Sequence, residues 1–170
     1  MNMNILRARS TLAATFGLVA LVAQPVVAQT TKTSTMTTSA AVVANCTVDT
    51  TPLAFGATDV TDGKAHAGTG SLNVMCTSGT GWSAAADKGL GTTATVAERE
   101  MTSGANSLTY SLYTAADGAT LWGDGTSGSA ITGVGTGEVV GTPIAGIIPA
   151  GQFGLPVGTY TDSVAITLTY

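Results

Sequence analysis

The chain has 170 residues, of which 9% are Asp, Glu, Lys or Arg and 44% are hydrophobic. Its formal net charge is −4, which excludes a surface built to seek nucleic acid or anionic lipid headgroups. Sparse charge and positive mean hydropathy would leave a free monomer prone to association, and they suit a subunit covered by copies of itself.

Arg7 and Arg9 precede an apolar run from Leu12 to Val22, and small residues lead up to Ala28. A short basic segment, an apolar stretch too brief to span a bilayer and a cut between Ala28 and Gln29 predict a secretory signal peptide over residues 1–28. Gln29, in place of a cysteine, disfavours a lipoprotein. The 142 residues that remain make one domain. Within them Lys32, Lys64, Lys88 and Arg99 face ten carboxylates, a net charge of −6.

Gln29 to Ser39 is threonine-rich, carries one charge, Lys32, and lacks the proline and acidic residues of a typical disordered tail. Threonine at this density favours extended chain. The segment reads as a strand without a place in its own domain; a flexible leader exposed after cleavage is the alternative.

From Ala40 onward no helical periodicity is sustained. Val, Ile, Thr and Tyr fill short runs that Gly and Thr punctuate, so the chain is all-β. The predicted strands are Ala40–Val48, Leu53–Phe55, Ser71–Thr77, Trp82–Ala86, Leu108–Thr114, Gly137–Gly141, Ile144–Ile148 and Tyr160–Tyr170. Turns are expected at Asp62-Gly63, Ser78-Gly79, Asp117-Gly118, Asp124-Gly125 and Pro149-Ala150-Gly151. This spacing favours an Ig-like β-sandwich over a closed barrel. In the last strand Val164, Ile166, Leu168 and Tyr170 alternate with Ala165, Thr167 and Thr169, which leaves one face of the strand, up to the final residue, in search of a partner.

Cys46 and Cys76 are the two cysteines. An exported chain reaches an oxidising compartment, so a structural disulfide is expected, tying neighbouring strands or stapling two sheets. Neither cysteine has a CxxC partner or nearby histidine that would make it a nucleophile or metal ligand.

The remaining candidates for chemistry are weak. His66, the only histidine, sits in an expected solvated loop, and no Gly-x-Ser-x-Gly elbow exists to present a nucleophile. Gly123-Asp124-Gly125-Thr126-Ser127-Gly128 matches a dinucleotide fingerprint in form, but no helix follows it, so a turn is expected. Asp117-Gly118 and Asp124-Gly125 belong to no full calcium loop. Glu98 and Glu100 around Arg99 read as a solvated loop, not a paired-carboxylate site. Trp82 and Trp122 read as core aromatics, with a carbohydrate site as the alternative. The expectation is a protein without catalytic residues, cofactor or metal.

Ordered landmarks run from about Ala40 to Tyr170: Ala44-Asn45-Cys46-Thr47-Val48, Pro52-Leu53-Ala54-Phe55-Gly56, Leu72-Asn73-Val74-Met75-Cys76-Thr77, and Arg99-Glu100-Met101. They continue with Leu108-Thr109-Tyr110-Ser111-Leu112-Tyr113, Leu121-Trp122-Gly123-Asp124-Gly125, Ile148-Pro149-Ala150-Gly151-Gln152 and Gly158-Thr159-Tyr160-Thr161-Asp162-Ser163-Val164. Together they resemble the spore coat protein U domain family, whose relatives include subunits of archaic, Csu-type chaperone–usher pili. One departure is Ile144-Ala145-Gly146-Ile147, which lacks an aromatic residue beside the glycine.

The resemblance implies an incomplete Ig-like sandwich over residues 40–170, missing its final strand, with residues 29–39 as an N-terminal donor-strand extension. It implies a surface pilus, fibre or coat subunit that passes from a periplasmic chaperone to an outer-membrane usher and polymerises with copies of itself or related subunits by β-augmentation. The expected donor residues are Thr35, Met36, Thr37 and Thr38, with Met36 the one large plug. The expected acceptor groove includes Val164, Ile166 and Leu168. A secreted carbohydrate-binding module or small adhesin using Trp82 and Trp122 is the alternative function.

Overall fold

A computed structural model describes residues 25–115 and 118–170. The chain divides into two units, Met1–Ser39 and Ala40–Tyr170. Most of the expected signal segment and Asp117 of the expected Asp117-Gly118 turn lie outside the described residues. Residues 25–45 are exposed and carry no regular secondary structure.

In the second unit the alternating Val/Thr-rich runs form eight strands, and no helix occurs among the described residues. They are β1 (Cys46–Ala54), β2 (His66–Cys76), β3 (Gly81–Ala86), β4 (Arg99–Ser103), β5 (Asn106–Tyr113), β6 (Ile131–Val134), β7 (Val139–Ile148) and β8 (Ile166–Thr169). A five-stranded sheet runs β1-β2-β7-β5-β4 and a three-stranded sheet runs β6-β3-β8. Leu72, Val74, Tyr110, Leu112 and Ile144 of the first sheet pack with Ala84, Ala86 and Ile131 of the second in one core cluster. Two sheets burying their apolar faces together make the sandwich expected from the sequence.

The strand boundaries depart from expectation for local reasons. The run Ala40–Val48 becomes strand only from Cys46, because β2 ends opposite it at Cys76; upstream, Thr77 alone holds the carbonyls of Val43 and Asn45. Leu53 joins the same strand, since Pro52 falls at a bulge between Thr51 and Ala54 on an edge, where a missing N–H is tolerated. The two runs around Pro143 fuse into β7. Pro143 pairs with Ser71, but β5 flanks β7 only at Ala145–Ile147, so half the backbone sites at the proline lack a neighbouring strand in any case.

Strands β4 and β6 were not expected. Arg-Glu-Met-Thr-Ser shows no alternation, and Ile-Thr-Gly-Val is short and holds a glycine. Gly133 is required there: a Cβ would stand 2.4 Å from the Trp82 ring.

The terminal run is strand only over Ile166–Thr169, paired with β3. Upstream, Thr161 exchanges both backbone hydrogen bonds with Thr102 of β4 in the other sheet, at 2.8 and 3.1 Å. Between these points the Asp87 N–H donates to the Ala165 carbonyl at 3.1 Å, and two carboxylates add to this bond. Asp162 Oδ1 accepts from the Leu90 N–H at 2.8 Å, and Asp87 Oδ1 accepts from the Ala165 N–H at 2.9 Å.

Candidate functional site

The inner face of the larger sheet carries a patch without side chains where Gly68 and Gly70 of β2 approach Gly146 of β7. Leu53 and Phe55, at and just beyond the end of β1, lie on it: a Cβ at Gly146 would meet Leu53 Cδ2 at 2.7 Å and Phe55 Cζ at 2.8 Å. Phe55 also meets the Tyr110 ring edge-on, with centroids 6.0 Å apart. Phe55 is thus an aromatic ring that packs over Gly146.

This ridge divides an open groove into two clefts. The first, about 370 Å³, is lined by Thr50, Leu112, Trp122, Ile144, Val164 and Ile166, with Tyr110 and Asp162 on its wall. The second, about 680 Å³, is lined by Leu108, Ile148, Val60 and Leu155, with Asp59 and the exposed Val157 at its rim. Leu53, Phe55, Met101 and Tyr160 border both. Along the first cleft β1 and β8 are the edges of their respective sheets. Each edge presents backbone donors and acceptors with no strand beside them among the described residues.

The wall of the first cleft is polar at Tyr110 and Asp162. Tyr110 donates to Asp162 Oδ2 at 2.7 Å; burial, and then this bond, push the phenol well above its ordinary pKa. Behind it lies Arg99, fully buried, whose Nε and Nη1 donate to the carbonyls of Asp87 and Val96 at 2.8 Å each. Nη2 reaches the Trp122 carbonyl at 2.9 Å. Burial lowers its pKa, opposed by Tyr110, Asp87 and Asp162. Arg99 was expected in a solvated loop with Glu98 and Glu100. Instead it opens β4, while Glu100 accepts hydrogen bonds from Thr93. Flanked by Glu98 and Glu100, Arg99 carries no local sign of burial.

Val164 and Ile166 line the first cleft, and Leu168, half-buried opposite Ala84, borders neither cleft. The contributions of Leu53, Phe55, Met101 and Tyr160 were not anticipated. Ala28, Gln29, Thr35, Met36, Thr37 and Thr38 belong to the first unit, all exposed and outside any strand; Met36 is 87% exposed. Cys46 and Cys76 form a disulfide between directly opposed residues of β1 and β2, within one sheet.

Trp82 and Trp122 are 7% and 3% exposed, and the Trp122 indole N–H donates to the Ala84 carbonyl at 3.1 Å; both belong to the buried core cluster, and Trp122 also lines the first cleft. His66 begins β2, correcting the loop assignment, and its Nε2 bonds the Asp59 carbonyl at 2.9 Å. Gly123–Gly128 is a turn: Asp124 Oδ1 accepts from the N–H groups of Thr126 and Ser127, which lowers its pKa. Among the described residues no group of three or more His, Cys, Asp or Glu side chains could hold a metal ion.

The family model described as Spore Coat Protein U domain matches residues 32–167. No curated protein is significantly similar to the chain. Among solved structures, one similar chain comes from the CsuC-CsuE chaperone-tip adhesion subunit pre-assembly complex of the archaic chaperone-usher Csu pili of Acinetobacter baumannii, at 17% identity and a TM-score of 0.56. The match covers 76% of this chain and 40% of that one, so the likeness is one of fold and the chain spans less than half of the other's length.

Proposed function

The chain belongs to the Spore Coat Protein U domain family, and on that premise we propose that it is a structural subunit of a surface pilus, fibre or coat, assembled by donor-strand exchange and without catalysis. In this reading residues 1–28 direct export, residues 29–39 are the donor and residues 40–170 form the acceptor sandwich. A periplasmic chaperone holds the subunit, an outer-membrane usher receives it, and the polymer forms from copies of the chain or from related subunits.

One observation carries the reading: an apolar groove lies between two unpaired strand edges in a chain that also has an exposed, strandless, threonine-rich extension. A strand entering the groove gains ladder hydrogen bonds and buries alternate side chains. The test is a chain beginning at Ala40, compared with one beginning at Gln29. The shorter chain is expected to fold and remain monomeric, while the longer forms fibres visible by electron microscopy. Fibres of equal length from both would refute the donor assignment.

A further inference from the structure

The groove and the extension share a pattern. Along β7 the lining passes from the first cleft at Ile144 to the second at Ile148, and along β5 from Leu112 to Leu108. Each step is four residues, roughly 13 Å of strand. Midway, Leu53 and Phe55 ride over Gly146 and raise the floor. An occupying strand therefore meets a smaller cleft walled by Asp162, a ridge, and a larger cleft whose apolar lining of Leu108, Ile148, Val60 and Leu155 has Asp59 at its rim, at positions i, i+2 and i+4.

In the extension, Lys32, Ser34 and Met36 have that spacing and share one face of a strand. Lys32 is the only charged residue from Pro25 to Asn45. Asp162 stands in the narrow cleft, and its Oδ2, already accepting from Tyr110, retains lone-pair capacity for an ammonium. Ser34 is small enough to cross the ridge. Met36, the large apolar side chain among residues 29–39, matches the wide cleft between Leu108 and Ile148.

The chain passes from Gly158 and Thr159 at the wide cleft to Val164 and Ile166 at the narrow one, while β1 passes from Thr50 at the narrow cleft to Ala54 at the wide one. A strand placing Lys32 in the narrow cleft and Met36 in the wide one therefore runs antiparallel to β8 and parallel to β1, and the match of Lys32 to Asp162 sets that direction.

We infer that the occupant of the groove is the extension of a second copy of this chain, with Lys32 beside Asp162, Ser34 over the Leu53–Phe55 ridge and Met36 in the wide cleft. This rests on the donor-strand reading and adds to it the register, the direction and the identity of the partner.

The test uses the full mature chain with single changes in the extension, which leave the sandwich untouched. Lys32→Glu, Ser34→Leu and Met36→Ala should each shorten the dissociation half-life of the polymer in denaturant at least tenfold. Thr33→Leu and Thr35→Leu, on the outward face, should change it less than twofold. Equal effects on both sets, or greater sensitivity at 33 and 35, would overturn the register while leaving the donor reading intact. Unchanged assembly after deletion of residues 29–39 would overturn both.

Discussion

Arg99 and Trp122 share one backbone atom: the buried guanidinium donates through Nη2 to the Trp122 carbonyl at 2.9 Å, while the Trp122 indole N–H reaches Ala84. Arg99 thereby ties β4 to the segments around Ala86–Asp87 and Val96. Arg99→Met keeps the length and strands these carbonyls without donors, a loss of about 3 kcal/mol or more. Arg99→Lys should recover less than half, since an ammonium cannot present the planar fork. Urea unfolding measures both, and a midpoint shift within error for Arg99→Met would refute the hub.

The Tyr110 phenol gives stability an alkaline limit. Its folded-state pKa is raised by burial and by the bond to Asp162. The unfolded chain releases the proton near pH 10 while the folded chain keeps it, so stability is full below pH 10 and falls as pH rises beyond. The slope contributed by this group approaches about 1.4 kcal/mol per pH unit. In Tyr110→Phe the decline between pH 9 and 11 should be shallower by about half that slope on average, measured by urea midpoints across the range. An unchanged slope would show that another group sets the limit.

The Cys46–Cys76 bridge closes a loop with a sequence separation of 30. Loop-closure entropy puts the cost of its removal at roughly 3–4 kcal/mol. The double Cys→Ser chain should show that loss in denaturant, and the parent chain should show the same loss under reducing conditions. A double variant as stable as the parent would mean that the bridge brings no net stabilisation through the unfolded chain.

Gly146 should resist any side chain. Gly146→Ala places a Cβ against Leu53 and Phe55, with an expected cost of about 1–3 kcal/mol from overpacking. Leu53→Ala in the same chain should return part of that loss, and a double-mutant cycle by thermal unfolding gives the coupling. Strict additivity would mean that Leu53 does not rest on the glycine.

Much of the sandwich was legible because its buried strands alternate: Leu108, Tyr110 and Leu112 fill one face of β5, and Leu72, Val74 and Cys76 one face of β2. The Gly-rich turns were legible through residues that tolerate left-handed backbone, as at Gly125 with φ +87°. What stayed hidden depends on contacts distant in sequence. Arg99 looks like a surface arginine until the carbonyls of Asp87 and Trp122 surround it. Likewise Leu53 and Phe55 acquire their role from glycines on two other strands, and β6 from the room that Gly133 leaves for Trp82. On the terminal strand Val164 and Ile166 line the first cleft and Leu168 lines neither, and period-two alternation identifies a side of the strand and not where a cleft ends.

The passage of the last strand between sheets has a mechanical side. Thr161 is bound to β4, Ile166–Thr169 to β3, and the residues between are pinned by Asp162 and Asp87. A pull applied along β8 is thus divided between the two layers from the start. The link between the layers runs through the two carboxylate anchors and the Asp87–Ala165 backbone bond, so tension on the terminal strand reaches both sheets.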